Sequence, residues 1–186
     1  MSADAPPFPA DGARRRRLES MIRVDHAGEF AAVQIYKGQR AVFDRIPGKA
    51  HAAELIAEME EGEQEHLRTF DALIAERNVR PTVMAPVWRV AAFGLGAATA
   101  LMGEKAAHAC TAAVEEVIEE HYESQVRALP DEEAPFRETI ARFRDDEAGH
   151  RATALSEGAE EAPGYRVLSA VIKAGCRLAI RISERV

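Results

Sequence analysis

The chain has 186 residues, with 24 Lys and Arg against 31 Asp and Glu and a net charge of −7. That length suits one domain with a full hydrophobic core, and the acidic balance speaks against a nucleic-acid partner. Alanine, leucine, glutamate and arginine dominate and only 6% of residues are aromatic, a helix-forming composition. Cys110 and Cys176 are isolated thiols without C-x-x-C spacing, so neither a disulfide framework nor a zinc ribbon is supported and a reducing compartment is expected.

Residues 1–16 are read as a flexible N-terminal segment and 17–186 as the folded domain. Met1 to Gly12 holds Pro6, Pro7 and Pro9 and no apolar run, so no secretory signal is expected, and Asp4 and Asp11 fit an organellar leader poorly. Arg14 to Arg17 form a basic cluster, read either as a solvated helix start or as a contact for anionic lipid headgroups. Six helical segments follow. The first runs from about Arg17 to Arg45 and stops at Pro47-Gly48. The second spans about Ala50 to Arg77 and ends before Pro81. An apolar stretch covers Val83 to Gly103, and a fourth segment runs from about Glu104 to Ala128, before Pro130. The fifth spans about Glu132 to Glu157, ending at Gly158, and the last follows Pro163-Gly164 to the C-terminus. No segment shows sustained two-residue alternation, so no strand is predicted. The fold class is all-α, a ferritin-like four-helix bundle with two additional apolar or amphipathic helices, built as a duplicated three-helix unit.

One ligand pattern occurs twice. Glu29 is followed by Glu63 and His66 in a Glu-x-x-His pair, and Glu115 by Glu147 and His150. Tyr36 and Gln39 trail Glu29 at the same offsets at which Tyr122 and Gln125 trail Glu115. Helical residues three apart lie about 60° apart around the axis, so each Glu-x-x-His pair can reach one metal. A single pair in so glutamate-rich a chain carries little weight. Two pairs, each preceded by a helical glutamate at a comparable distance, predict a dinuclear site holding Glu29, Glu63, His66, Glu115, Glu147 and His150. Carboxylate with imidazole selects iron or manganese over zinc or copper. Four carboxylates against two divalent ions balance to neutrality, which favours burial.

The remaining polar residues are assigned more modest places. Glu60, Glu61, Glu65, Glu116, Glu119 and Glu120 are expected on solvated faces or helix boundaries. Asp145 or Asp146, and Asp25, are candidates to orient a ligating histidine. His26 shares the face of Glu29 and is the candidate for an outer role. His108 is expected in a surface pair with Glu104, and His51 has no context. Tyr36 is expected as a core aromatic with a bonded hydroxyl, whereas Tyr122, with His121 beside it, is the candidate for electron transfer or contact with substrate or reductant. Cys110 is expected as a small buried residue. Gly94-Leu95-Gly96 begins like a dinucleotide fingerprint, but no strand precedes it, and the match is discarded.

Val90 to Gly103 carries no charge, yet it is shorter than the ~20 residues a span requires. Trp88 and Arg89 at its start look like an interface anchor. In the last helix Leu168, Val171, Ile172, Gly175, Ala179 and Ile182 fall on one face, and Lys173, Arg177 and Arg181 repeat opposite. Residues 164–186 hold five basic side chains and one Glu. Such a basic amphipathic helix is expected to lie in a membrane surface, with packing on the bundle as the alternative.

The stretches RVDHAGE (23–29), EQEHL (63–67), RPTVMAPVW (80–88), AVEEVIEEHY (113–122), FRDDEAGH (143–150) and AGCRLAIRISER (174–185) resemble the demethoxyubiquinone hydroxylase family, ferritin-like enzymes of ubiquinone biosynthesis. The resemblance covers nearly everything beyond the first fifteen residues. It implies that the six residues above ligate two iron ions, with Glu63 and Glu147 bridging. It implies O2-dependent hydroxylation of a polyprenyl methoxy-methyl-benzoquinol, the penultimate step of the pathway, with an external reductant such as NADH. It also implies a peripheral membrane location, placed on the cytoplasmic face of a bacterial inner membrane because long family members carry an organellar leader that this chain lacks. A homo-oligomer and other ubiquinone-biosynthesis proteins are expected as partners. The competing readings are an iron-storage or peroxide-scavenging bundle and a metal-free membrane-bound helical scaffold. The apolar 83–103 segment and the basic last helix speak against a soluble cage, and the absence of a four-cysteine tail speaks against a rubrerythrin.

Overall fold

The computed structural model describes residues 9–186, with side chains from residue 12 onward, and consists of six helices and two short 3-10 turns with no strand among the described residues. They are α1 (Pro9–Phe43), α2 (Ala50–Arg77), α3 (Ala85–Leu101), α4 (Glu104–Ala128), α5 (Ala134–Ser156) and α6 (Tyr165–Ser183). Breakers set the boundaries. Gly48, Gly103, Gly158 and Gly164 take positive φ at the interhelical turns, and Asn78 closes α2 in the left-handed conformation at φ 51°, its N–H returning to Ile74. Pro135 sits in the first turn of α5, where its missing N–H costs nothing. The first helix starts earlier than expected. Residues 9–16 belong to α1, Pro9 occupying its first position, and residues 1–8 of the segment read as flexible lie outside the described residues. Arg14 pairs with Glu132 and Arg15 with Glu19, so two of the four basic side chains have acidic neighbours within the fold.

Two hairpins form the bundle: α1 packs on α2, and α4 on α5. The other helices lie outside, α3 along α1 and α6 along α4. Close approach of α1 and α3 depends on glycine. A Cβ on Gly38 would overlap the backbone of Phe93 and Ala97, and one on Gly96 the backbone of Ile35. That contact explains the glycine at 96 without any nucleotide. Apolar residues bury in two clusters around the centre of the bundle. Ile22, Phe70, Tyr122, Phe136, Ile140 and Phe143 form one, and Tyr36, Phe43, Ile56, Met59 and Ala100 belong to the other. Each fully buried large side chain contributes roughly 1.5–3 kcal/mol, which offsets the cost of the polar residues held between them.

Candidate metal centre

Glu29 on α1, Glu63 and His66 on α2, Glu115 on α4, and Glu147 and His150 on α5 converge inside the bundle. The four carboxylates are essentially sealed from solvent, His66 nearly so, and His150 half-buried. Potential ligand atoms of Glu29, Glu63, His66 and Glu147 all lie within 4.8 Å of one another, as do those of Glu63, Glu115, Glu147 and His150. Glu63 and Glu147 belong to both groups. Nδ1 of His66 lies 3.1 Å from Glu147 and 3.5 Å from Glu29. Nδ1 of His150 lies 2.9 Å from Glu63 and 3.2 Å from Glu147. His66 therefore approaches carboxylates of α5 and α1, and His150 one of α2 and one of its own helix.

The duplicated tyrosines cross over. Tyr36 donates to Oε1 of Glu115 at 2.6 Å, and Tyr122 donates to Oε1 of Glu29. The other oxygens, Oε2 of Glu29 and of Glu115, have no donor, nor does either oxygen of Glu63. Burial, reinforced by neighbouring carboxylates, holds the carboxyls of Glu63 and Glu115 well above their ordinary range. Burial also acts against ionised Glu147, yet hydrogen bonds from His150 and His66 bring it down to about 2. Burial also acts against charged His66, yet its bond to Glu147 and the nearby Glu29 carboxylate lift it to about 10. Four buried carboxylates, three of them with a donor-free oxygen and the fourth, Glu147, bonded by both imidazoles, are the donor set for two hard cations. The residues present fit a dinuclear iron or manganese centre.

The supporting residues are placed unevenly. Nε2 of His66 meets Oδ2 of Asp146 at 3.1 Å, and the His66 ring stacks on Phe143 with centroids 3.9 Å apart. The position equivalent to Asp146 in the first half is Gly62, whose added Cβ would stand 3.3 Å from Nε2 of His150. Asp145 is instead held by Arg144. Asp25 is buried but turns away from the ligands, its Oδ1 accepting from Gln125 at 2.6 Å and lying 3.2 Å from Nε2 of His121. Burial depresses the His121 imidazole, and the Asp25 bond and charge raise it overall. His121 thus reaches Asp25 rather than the carboxylate cluster.

Several sequence expectations are corrected. Glu60 is buried rather than solvated, held by Arg40 at 3.1 Å and Gln64 at 2.9 Å. His108 is buried, its imidazole pushed down by desolvation, rather than surface-paired. His26 bonds Asp71 at 2.9 Å and braces α1 on α2 instead of serving the centre. Cys110 is a sealed core residue as expected. On α6, Ile172 and Ser183 are buried, while Lys173 reaches Glu116 at 2.5 Å and Arg177 reaches Glu120 at 2.9 Å. Two of the three basic residues assigned to lipid therefore tie α6 to α4. The exposed apolar surface is formed by Val83, Val87, Val90, Phe93 and Leu101 in and beside α3 and by Val167, Val171 and Leu178 on α6. No helix among the described residues is long and apolar enough to cross a membrane.

An apolar cavity of about 380 Å³ lies between α1, α3, α4 and α6, with Ile35, Leu95, Val114, Ile172 and Cys176 among its walls. Gly28 and Val114 also line it, each one residue from a glutamate of the cluster. At one end Trp88 donates to Ser183 at 3.1 Å, linking the start of α3 to the end of α6. Sequence reasoning did not find this cavity, because it is shared among four helices and no local pattern encodes it.

Fold and cluster together define an all-α ferritin-like carboxylate bundle. The family profile of Ubiquinone biosynthesis protein COQ7 matches residues 16–183, and the chain belongs to that family. The chain is 48% identical over 179 residues to the 3-demethoxyubiquinol 3-hydroxylase of Rhodospirillum rubrum, covering 96% of this chain and 83% of that protein. It is 45% identical to the human NADPH-dependent 3-demethoxyubiquinone 3-hydroxylase, mitochondrial, covering 94% and 81%. The 5-demethoxyubiquinone hydroxylase, mitochondrial, of Saccharomyces cerevisiae is 40% identical, with 91% and 78% covered.

Proposed function

We propose that this protein is a di-iron monooxygenase that uses O2 to hydroxylate a 2-polyprenyl-3-methyl-6-methoxy-1,4-benzoquinol in ubiquinone biosynthesis. The observation that carries the reading is the apolar cavity whose wall includes Gly28 and Val114, the chain neighbours of Glu29 and Glu115. It joins a site fit for lipophilic substrate to one fit for redox metal, and the relatives' names supply the substrate class.

Glu29, Glu63, His66, Glu115, Glu147 and His150 would hold two iron ions, with Glu63 and Glu147 shared between them. Bound iron supplies the redox chemistry that O2 activation requires. The reaction takes one oxygen atom of O2 into the ring and the other into water, consuming two electrons and two protons. Those electrons come from an external reductant, a nicotinamide nucleotide by analogy with relatives named NADPH-dependent. The chain itself orients and excludes. Tyr36 and Tyr122 each fix one carboxylate oxygen and leave its twin turned inward. Burial, with nearby carboxylates, raises both phenols well above their ordinary range, so they stay protonated donors. Tyr122 acts by touching Glu29, and His121 is a positioning residue behind it, joined to Asp25 and Gln125. The cavity wall keeps water from the ring while it is oriented.

The exposed apolar residues lie on α3 and α6, two of the helices that wall the cavity, and Val171 is both exposed and in its lining, which fits a peripheral protein taking its substrate from a bilayer. The cytoplasmic face of a bacterial inner membrane, a homo-oligomer and docking of other biosynthetic proteins belong to this proposal. Purified, iron-loaded protein given the demethoxylated quinol, reductant and O2 should yield the ring-hydroxylated product, identified by mass spectrometry. Turnover should vanish in Glu63→Ala and Glu147→Ala while helicity remains. A single tightly held zinc, or turnover unchanged in either variant, contradicts it.

A further inference from the structure

The cluster has a second side. The helices α2 and α5, each carrying a Glu-x-x-His pair, pack on α1 and α4 respectively and meet each other through His66 and Phe70 against Phe143. Between them lies a polar cleft of about 510 Å³, with His66 and His150 in its walls. Glu65, Asp145 and Asp146 stand around it, and Arg142, the cation beside them, lies over the Phe143 ring at 5.1 Å. Gly62 and Gly149 also line the cleft, and a Cβ on Gly149 would meet nothing within 4 Å. Behind the imidazoles sits Glu63, fully buried, with neither oxygen given a hydrogen-bond donor and His150 only 2.9 Å away.

We propose that this cleft is the route by which divalent metal ions reach the carboxylate cluster, drawn in by Glu65, Asp145 and Asp146 and admitted past Gly62 and Gly149. The inference rests on the dinuclear reading above and adds the path to it. A hydrated dication entering through the apolar cavity would shed water with almost nothing to replace it, since that wall is carbon apart from Trp88, Cys176 and Ser183. In the polar cleft each lost water is exchanged for a carboxylate or an imidazole, and the acidic rim in a low-dielectric recess raises the local cation concentration. The division also keeps the two traffics separate, lipophilic substrate on the α3–α6 side and ions on the α2–α5 side.

The test is the rate of Co2+ uptake by the full-length, metal-stripped protein, read by stopped-flow visible absorbance, with stoichiometry measured at equilibrium. Gly149→Arg, which puts bulk and positive charge at the rim, should slow uptake about tenfold or more, while Gly149→Glu should load as fast as the wild type or faster. Gly175→Phe, which fills the apolar cavity from α6, should leave the rate unchanged. All three should still hold two cobalt ions at equilibrium. Wild-type uptake in Gly149→Arg, or slowing in Gly175→Phe instead, overturns the route. Should Gly149→Arg fail to fold, the surface variant Glu65→Gln/Asp145→Asn decides: uptake slowed several-fold supports the cleft, and an unchanged rate overturns it. Wild-type protein that binds no cobalt at all overturns the metal reading itself, a result distinguishable from the others.

Discussion

Tyr36 donates to Oε1 of Glu115 at 2.6 Å from the opposite half of the chain and leaves Oε2 of that buried carboxylate without a donor. Tyr122 does the same for Glu29. Each half of the duplicated chain thus orients the lone glutamate of the other. Removing either phenol strands a second buried oxygen, at a cost of about 1–3 kcal/mol when nothing replaces it. Tyr36→Phe and Tyr122→Phe should each lower the melting temperature and weaken metal binding by about 10–100-fold, the usual penalty for losing a partner of a ligand. Calorimetric titration with Co2+ checks this. Unchanged affinity in both variants would show that the phenols only fill space.

The two metal positions should also differ from each other. Asp146 holds Nε2 of His66, whereas Gly62 stands where the corresponding support for His150 would be. Asp146→Ala should therefore weaken one of the two sites by about 10–100-fold and make the binding isotherm biphasic. Two sites weakened equally, or neither, would show that Asp146 does not set the asymmetry.

Raising the pH should lower the stability of the metal-free protein and enlarge the stability gained on metal loading. In the metal-free protein Glu63 and Glu115 titrate well above the ordinary 4.5. The folded state keeps protons there that the unfolded chain has released, so stability falls as pH rises above that value. His66, lifted from 6.5 to about 10, contributes stability that is complete below 6.5 and is lost as pH climbs through its folded value. Glu147, lowered to about 2, contributes stability present above 4.5 and lost on acidification. Metal-free protein should thus be most stable on the acid side of neutrality. Metal binding needs deprotonated ligands, so the gain on loading should grow with pH. Melts with and without Co2+ at about pH 5 and about pH 8 measure both slopes. A metal-induced gain that shrinks with pH would contradict the donor set.

The sequence was informative where its signals are local. Pro47, Gly48, Gly103, Gly158 and Gly164 mark the turns, and the two Glu-x-x-His pairs with their preceding glutamates converge at one point. What depends on partners from other helices was not legible. Glu60 is buried because Arg40 lies across from it, and Asp146 serves the histidine of α2 rather than its own. Which face of α6 meets the bundle was equally hidden. Its apolar stripe is wide enough to supply both a buried side at Ile172 and an exposed one at Val171, and periodicity alone does not separate them.

That division of α6 determines how membrane attachment should respond to mutation. Val90, Phe93, Val171 and Leu178 are exposed apolar side chains, each worth roughly 1.5–3 kcal/mol if fully removed from water. Lys173 and Arg177 are engaged with Glu116 and Glu120, in partly exposed pairs worth about 0.2–1 kcal/mol to the fold. Replacing Val90, Phe93 and Val171 with Asp should release the protein from anionic liposomes at any salt concentration. Lys173→Gln/Arg177→Gln should lower the melting temperature slightly and leave most of the protein bound, because those charges are already spent within the bundle. Co-sedimentation of both variants with the vesicles decides. Release of the charge-neutralised protein, with the apolar variant still bound, would show that the basic face and not the α3–α6 surface holds the membrane.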